Sequence, residues 1–299
     1  MQPAFIDLQV NGHGGIDLLT AQSVDEVRKV SKSLYANGVV GYLPTIITSA
    51  LSDAVRAIKL IEEVRINPLP FEAKILGIHL EGPFISPEKR GVHPIEHIAK
   101  PDLNHLKALL NAGLIKIVTI APELPGAIEL IQYLVANNIV VSLGHTNATR
   151  EEAIAGFNAG AKTVTHLFNA MPKPPLDGTA QVAIERDGVV IQIIIDEVHV
   201  PNDLVKETLA KVSNRFVVTN DPIAAAGLGT GTYPFGDMEI TVKDGQARRS
   251  DGTLAGGIGT LGQALEIMAA IGIDKGDALA SVTTRPCELI GVDYKNLVN

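Results

Sequence analysis

The feature that most limits the fold is an alternation, from end to end of the chain, of short apolar β-rich runs with segments of helical periodicity. Eight runs are predicted as strands, at residues 5–10, 39–47, 74–80, 115–121, 139–143, 162–167, 189–195 and 215–219. The almost unbroken apolar run at 189–195 is typical of a strand covered on both faces. Buried strands alternating with helices predict a parallel sheet, and eight such units predict a closed (β/α)8 barrel.

Helix signals separate these strands. Capping boxes at 23–26 and 149–152 begin two of the helices, a short one is expected at about 181–186, and the last is expected at about 261–271. Residues 227–257 interrupt the alternation, and the tight turn at Asp244 and Gly245 predicts a hairpin in an elaborated loop over the barrel mouth. Because composition shifts nowhere and no linker is evident, we expect residues 1–299 to form one domain.

Composition excludes several classes of protein. With 33 acidic and 25 basic residues, the net charge of -8 provides no basic surface for nucleic acid or an anionic membrane. No apolar run reaches the ~18 residues of a membrane span, and the N-terminus lacks the pattern of a secretory signal. The single cysteine, Cys287, cannot form an internal disulfide. We therefore expect a cytoplasmic protein with neither nucleic-acid nor membrane partners.

Polar side chains follow the predicted strands, at the barrel end where active sites are built. These residues are Gln9, Asn11, Glu81, His145, His166, Asp196, His199 and Asp221. One carboxylate and two imidazoles, Glu81, His145 and His166, match a catalytic zinc-type site with a fourth position open. Taken singly, each histidine could be a packed or solvated residue. Only as a set do they indicate a metal site.

Other residues at this end could act on a substrate. Asp221 could exchange protons with water beside a bound cation, or could simply cap the turn before Pro222. His199 could donate to a substrate carbonyl, and His93 could contact substrate from its loop. The glycines in 254–257 could bring backbone amides close to a ligand. No glycine-rich stretch has the spacing of a nucleotide site.

Five sequence strings together identify a family. They are FIDLQVNG at 5–12, HLEGPF at 79–84, GHTNA at 144–148, THLFNAM at 165–171 and DPIAAAG at 221–227. The chain resembles the N-acetylglucosamine-6-phosphate deacetylase family of the amidohydrolase superfamily over almost its whole length. The resemblance implies a metal-dependent hydrolase of the TIM-barrel type that removes the acetyl group of an amino-sugar phosphate.

The resemblance also assigns roles to residues. It implies one divalent metal ion per subunit, zinc or iron, held by Glu81, His145 and His166. It makes Asp221 the general base and acid, and it implies a homodimer acting on a small-molecule substrate. The residues that it places against this substrate are Val92, His93, Asn169, Ala170, His199, Leu254, Ala255 and Gly256.

Three departures from the family stand out. Members usually add a small β-sandwich built from segments on either side of the barrel, and we expect this chain to be the barrel without it. The loop at 172–178 lacks the arginine with which members hold the substrate phosphate, and Lys173 could substitute as a point charge. Glu197 stands where a glycine normally precedes the His199 segment, which implies extra negative charge near the substrate.

These departures leave two alternatives to the leading function. The protein could be an amidohydrolase that acts on another N-acyl sugar or amide. It could also be a non-catalytic barrel that binds a sugar phosphate. The set of Glu81, His145, His166 and Asp221 argues against the second alternative, because a binding module has no evident need for a base beside a metal.

Overall fold

The structure is a computed structural model that describes residues 4–173 and 175–298. Its centre is a sheet of eight parallel strands: β1 (Phe5–Val10), β2 (Val39–Ile47), β3 (Ile78–Glu81), β4 (Ile115–Ile120), β5 (Val140–Leu143), β6 (Thr163–Val164), β7 (Val190–Ile193) and β8 (Phe216–Val218). Each strand pairs with the next in chain order. The predicted (β/α)8 barrel is confirmed.

The seam between β8 and β1 is closed by a side chain. Thr219 Oγ1 donates a hydrogen bond to Asp7 Oδ1 at 2.5 Å, and the Asn220 N–H donates to Asp7 Oδ2 at 3.3 Å. Farther along, the Asn11 N–H donates to the Pro222 carbonyl at 2.9 Å. Asp7 is fully enclosed, and burial raises the pKa of its carboxyl to about 6. Asp7 belongs to β1 and accepts hydrogen bonds from residues that follow β8, so its carboxylate joins the two strands where their backbones do not pair.

Helices cover the outside of the barrel. They are α1 (Val24–Ala36), α2 (Leu51–Ile66), α3 (Leu103–Leu110), α4 (Ala127–Ala136), α5 (Arg150–Asn158), α6 (Thr179–Glu185), α7 (Asn202–Val212), α8 (Leu261–Ala270), α9 (Lys275–Ser281), α10 (Thr284–Ile290) and α11 (Lys295–Val298). The expectation that α8 is the last helix was wrong, because three more follow it. These are at most seven residues long, too short to show a clear helical period.

One of these missed helices seals the lower end of the barrel. Cys287 and Ile290 of α10 pack against Ile6 and Leu8 of β1 and against Leu43 of β2 in a separate buried cluster. Just before α10, the carbonyl of residue 282 accepts a hydrogen bond from the Ile6 N–H at 2.8 Å. Cys287 is therefore a packing residue, and the opposite end of the barrel is free for the site.

The segment between β8 and α8 forms a three-stranded antiparallel sheet. Its strands are β9 (Gly231–Phe235), β10 (Met238–Lys243) and β11 (Gln246–Arg248). The turn after β10 lies at Asp244 and Gly245, where the sequence indicates one, and both residues have positive φ as a two-residue hairpin requires. The N–H of Gly236, in the other turn, donates to Asp17 Oδ2 at 3.2 Å, which ties this sheet to the loop after β1.

Shorter elements complete the chain. Two-residue strands at Gly12–His13 and Ile16–Asp17 pair with each other, and Lys74–Ile75 pairs with β2. Single 3-10 turns lie at Pro87–Lys89 and Ile95–His97. In the described part of the chain, we find no helix with the length and apolar character needed to span a bilayer.

Candidate active site

Three strand ends bring a carboxylate and two imidazoles into contact. Glu81 ends β3, His145 follows β5 and His166 follows β6. Glu81 Oε1 lies 3.1 Å from His145 Nε2 and 2.9 Å from His166 Nε2, and the two ring nitrogens are 3.1 Å apart. All three side chains are buried. The structure therefore brings together the set predicted from the sequence.

Backbone partners decide which imidazole nitrogen is available to a metal. His145 Nδ1 lies 2.9 Å from the Lys89 carbonyl oxygen, which can only accept, so Nδ1 carries the proton. In the tautomer with one proton on Nδ1, the Nε2 lone pair is directed at Glu81 Oε1 and is available to a cation between the two atoms. A metal-ligating histidine is typically held in this way by its other nitrogen. The residues therefore fit a bound metal.

His93 is close to the same carboxylate but has the opposite tautomer. Its Nε2 lies 3.9 Å from Glu81 Oε2, and ligand atoms of Glu81, His93 and His145 all lie within 4.8 Å of one another. However, His93 Nδ1 accepts from the Thr48 N–H at 3.3 Å, so the neutral ring carries its proton on Nε2. Burial lowers the pKa of His93 to about 3 and keeps the ring neutral. In this tautomer His93 Nε2 is a hydrogen-bond donor and has no lone pair for a metal.

Asp221 faces the cluster from the far side. Its Oδ1 accepts from Gln9 Nε2 at 2.8 Å and from Asn11 Nδ2 at 2.7 Å, and Gln9 Nε2 also donates to Glu81 Oε1 at 3.0 Å. Burial and the Glu81 carboxylate raise the pKa of Asp221 to about 8. A cation beside Glu81 opposes this rise, because positive charge favours the carboxylate. Asp221 can therefore hold or release a proton near neutral pH.

His199 is oriented by a second carboxylate. Asp196 Oδ2 lies 2.7 Å from His199 Nδ1, and Asp196 Oδ1 accepts from the His199 N–H at 2.9 Å. Burial opposes ionisation of Asp196, but its hydrogen bonds with His199 hold its pKa below the ordinary value. Nδ1–H is thus committed to Asp196, and Nε2 is left for a ligand. Glu197 is exposed and its Oε1 accepts from Asn202 Nδ2 at 2.8 Å; the extra negative charge that it implies near the substrate stays a prediction.

A chain of hydroxyl groups lies under the cluster inside the barrel. His79 Nδ1 lies 3.2 Å from the Leu8 carbonyl and so must donate, which leaves His79 Nε2 to accept from Thr119 Oγ1 at 2.7 Å. Thr165 Oγ1 lies 2.7 Å from Thr119 Oγ1 and 2.6 Å from Ser142 Oγ. Because the Leu8 carbonyl can only accept, each group in the chain donates its hydrogen bond toward the Leu8 end. This chain links the strands that carry the three candidate ligands.

The backbone is strained where the side chains converge. Among the described residues, ten other than glycine have positive φ, and six of these lie at the mouth: His145, His166, Phe168, Ala170, Glu197 and Asp221. Each such residue costs of the order of ~1–3 kcal/mol, which the surrounding structure must offset. The left-handed conformation turns His145, His166 and Asp221 out of their strands. No signal in the sequence indicates this.

These groups surround a pocket of about 190 Å³. It is lined by Asn11, Glu81, Gly91, Val92, His93, His145, His166, Asn169, Ala170, Ile194, His199, Asp221, Phe235, Thr253, Leu254 and Gly256. Two predicted site residues lie outside this lining: Ala255 is buried and donates its N–H to the Ala247 carbonyl, and Lys173 is exposed. Phe235 was not anticipated, because only the folded hairpin brings it over the pocket.

Residues 1–298 match the amidohydrolase family. The chain belongs to this family. It is 37% identical over 270 residues to an N-acetylglucosamine-6-phosphate deacetylase of Bacillus subtilis, which covers 86% of this chain and 66% of that relative. It is 30% identical over 298 residues to an N-acetylgalactosamine-6-phosphate deacetylase of Escherichia coli O157:H7, with 97% and 78% covered.

A solved structure agrees with these relatives. A variant of the Mycobacterium smegmatis N-acetyl-D-glucosamine-6-phosphate deacetylase, in complex with N-acetyl-D-glucosamine-6-phosphate, superposes with a TM-score of 0.90 at 31% identity. The match covers 97% of this chain and 77% of that one. This chain therefore spans between 66% and 78% of the length of these three proteins. Amidohydrolases depend on a metal, and the cluster of Glu81 with buried histidines could bind one.

Proposed function

We propose that this protein removes the acetyl group from N-acetylglucosamine 6-phosphate and releases glucosamine 6-phosphate and acetate. The observation that carries the proposal is the position of His145 Nε2, which faces the Glu81 carboxylate in a pocket that Asp221 also lines, while His145 Nδ1 is held by the Lys89 carbonyl. Glu81, His145 and His166 would hold one zinc or ferrous ion. That ion supplies a Lewis acid for amide hydrolysis.

His199 is proposed to bind the acetyl carbonyl oxygen. Because Nδ1–H is committed to Asp196, Nε2 donates a hydrogen bond only when the ring is protonated. The Asp196 carboxylate stabilises that imidazolium through the 2.7 Å contact. The pair thus places positive charge where negative charge develops on the carbonyl oxygen.

Asp221 is proposed to move the proton. As a carboxylate it takes a proton from the water that attacks the carbonyl carbon, and as a carboxylic acid it returns that proton to the sugar nitrogen while the C–N bond breaks. A raised pKa suits both steps, since the group is neither too weak a base nor too weak an acid near neutral pH. Gln9 and Asn11 hold one oxygen, which leaves the other for water.

The relatives favour a phosphorylated amino sugar as the substrate. The Bacillus subtilis relative is named for N-acetylglucosamine 6-phosphate, and the Escherichia coli relative for the galactosamine epimer. The epimer is therefore the second candidate substrate. A non-catalytic barrel that binds a sugar phosphate is disfavoured. Burying the Asp221 carboxyl beside candidate metal ligands costs stability, and a protein that only binds its ligand has no use for a carboxyl with a raised pKa there.

Acetate release by the metal-loaded protein tests the proposal. We expect the largest kcat/KM for N-acetylglucosamine 6-phosphate, a smaller value for the galactosamine epimer, and the smallest for N-acetylglucosamine. Equal rates on the phosphorylated and free sugars would transfer the assignment to another N-acyl sugar or amide. Binding of the sugar phosphate without acetate release would support the non-catalytic alternative.

Three further assignments belong to the same proposal. We place the protein in the cytoplasm, supported by a single buried cysteine in a chain without disulfides. We expect one domain, because composition shifts nowhere along the chain and no linker is evident, and a homodimer, as the resemblance implies. Limited proteolysis of the purified protein tests the single domain, and sedimentation tests the homodimer.

A further inference from the structure

Two strands of the barrel, β2 and β4, bring no residue into the lining of the pocket among the residues that the structure describes. The residue that follows β2 nonetheless serves the site, because the Thr48 N–H donates to His93 Nδ1 at 3.3 Å. The third residue after β4 is Glu123, a half-buried carboxylate to which the proposed function assigns no role. Its contacts indicate what β4 contributes.

Both oxygens of the Glu123 carboxylate bind the turn that follows β5. Glu123 Oε2 accepts from Thr146 Oγ1 at 2.6 Å, and Glu123 Oε1 accepts from the Asn147 N–H at 2.6 Å. The Thr146 hydroxyl in turn accepts from the Ala148 N–H at 3.0 Å. Hydrogen bonds to an ionised carboxylate are short and strong. One side chain therefore fixes three consecutive residues, and these directly follow His145.

This turn needs such an acceptor. The ladder of β5 ends at Leu143, so the N–H groups that come after it find no partner on a neighbouring strand. His145 has φ of +47°, in the left-handed region that a residue with a side chain rarely adopts. Such a conformation persists only where the surrounding structure enforces it. Glu123 is part of the structure that does so.

The loop after β3 holds the same turn from the other side. The Ser86 N–H donates to the His145 carbonyl at 2.8 Å, and the Lys89 carbonyl accepts from His145 Nδ1 at 2.9 Å. Asn147 Nδ2 also donates to Glu88 Oε2 at 2.6 Å. The backbone of His145 and its ring are thus both fixed before any metal is bound.

We propose that Glu123 is a positioning residue, which holds the turn at 144–148 so that His145 presents Nε2 to the metal. The inference rests on the proposed metal-dependent function. Glu123 lies outside the pocket lining and contacts neither the three candidate ligands nor the space for the substrate. It acts through Thr146 and Asn147, and its removal should loosen the backbone that carries His145. Partners of this kind determine how tightly a preformed site binds its metal.

The zinc affinity of the metal-free protein, measured by competition with a chelator, tests the proposal without any need for turnover. For Glu123→Gln we expect the affinity to fall by about 10- to 100-fold. A glutamine offers one acceptor oxygen to two donors and turns its own N–H groups toward the other donor. With zinc at saturation, KM for N-acetylglucosamine 6-phosphate should stay unchanged, because Glu123 does not line the pocket.

Thr146 provides an independent route to the same bond. Thr146→Val removes the hydroxyl and should weaken zinc binding, whereas Thr146→Ser keeps the hydroxyl and should bind zinc as the wild type does. In the double variant of Glu123→Gln with Thr146→Val, the loss should be smaller than the product of the two single losses, because both remove one shared bond. If Glu123→Gln does not fold, the two Thr146 variants carry the test.

A matched charge change controls the test. Glu129→Gln removes an exposed carboxylate from the first turn of α4 and should leave the zinc affinity unchanged. An equal weakening in Glu129→Gln would trace the effect to net charge and overturn the inference. A double variant whose loss equals the full product would also overturn it, since the two residues would then act separately.

The design separates this inference from the proposed function. If the wild-type protein binds no zinc or releases no acetate, the proposed function fails, and the inference fails with it. If the wild type does both, and Glu123→Gln and Thr146→Val bind zinc as tightly as the wild type, only the role of Glu123 is refuted.

Discussion

The two ends of the pocket are built in different ways. At the inner end, Glu81, His145 and His166 come directly from strand ends, and their ligand atoms lie within 3.1 Å of one another. At the outer end, the lining comes from loops and from the β9–β11 sheet, where contacts such as Arg249 with Asp251 are looser and more exposed. A barrel thus fixes the reacting groups, whereas its loops determine which substrate reaches them.

The largest effect should come from the inner end. Replacing Asp221 with asparagine removes the proposed proton carrier but keeps the size of the side chain, so we expect kcat for acetate release to fall by about 10³-fold. The metal content should stay at one equivalent, because Asp221 lies outside the three candidate ligands. Asp237→Asn, on the exposed turn between β9 and β10, is the matched control. Activity within tenfold of the wild type would remove Asp221 from its role.

His199 should give the next largest effect, because it comes from the loop after β7 but is proposed to bind the reacting carbonyl. We expect His199→Ala to lower kcat by about 10²-fold, which is typical for the loss of one oxyanion donor. Asp196→Asn should lower kcat by about tenfold, since the asparagine keeps the His199 ring in place but no longer stabilises its positive charge. Unchanged activity in Asp196→Asn would show that Asp196 does not stabilise positive charge on His199.

Replacing Gly256 tests whether a change in a loop at the outer end of the pocket displaces Asp221 at the inner end. A Cβ at this position would lie 2.6 Å from the Asp221 carbonyl oxygen, and the residue has φ of +79°. We expect Gly256→Ala to lower kcat by about 10- to 100-fold, because a shift of ~1 Å at a catalytic group can cost that much. Gly252→Ala is the matched control: its φ is +88°, but nothing lies within 4 Å. Equal effects would trace the loss to backbone strain alone.

The smallest effect concerns stability and lies in the loop after β1. Burial lowers the pKa of His13 to about 4, against 6.5 for an exposed histidine. Between these values the unfolded chain binds a proton that the folded protein does not, so the free energy of unfolding falls as pH decreases from 6.5 to 4. Between pH 6.5 and pH 5, we expect the free energy of unfolding to fall by about 1.5 kcal/mol less in His13→Asn than in the wild type.

Urea unfolding at both pH values measures this difference. His97→Asn, a half-buried histidine in another loop, controls for the loss of an imidazole. Parallel pH dependence in the wild type and in His13→Asn would contradict the account of His13, whose Nδ1 is 2.8 Å from Ser33 Oγ.

The strands could be predicted because apolar runs determine them, but their ends could not. The run at 74–80 is broken at Gly77, where φ is +141° and a Cβ would meet Lys116 Cγ at 2.3 Å. The run at 162–167 keeps only two residues in its ladder, since the backbone turns at His166. The break at Gly77 depends on a tertiary contact and the turn at His166 on a strained backbone torsion. Neither produces a periodic pattern in the sequence.

The candidate site shows the same limit. Glu81, His145, His166, His199 and Asp221 were predicted from their positions after strands, and all five line the pocket. The tautomers of His145 and His93 were not predictable, because they depend on hydrogen bonds with the Lys89 carbonyl and the Thr48 N–H. Every residue has a backbone carbonyl, and every residue except proline has an N–H, so the sequence does not show which of them a side chain meets. The separation of His145 as a ligand from His93 as a donor therefore required the folded chain.

The central claim is that one metal ion, held by the strand ends, makes this barrel a hydrolase. Titrating the metal-free protein with zinc or ferrous ion, while following acetate release from N-acetylglucosamine 6-phosphate, tests it most directly. The account predicts no turnover without metal and a linear rise that stops at one equivalent per subunit. Full activity in the metal-free protein, or a rise that continues to two equivalents, would contradict it.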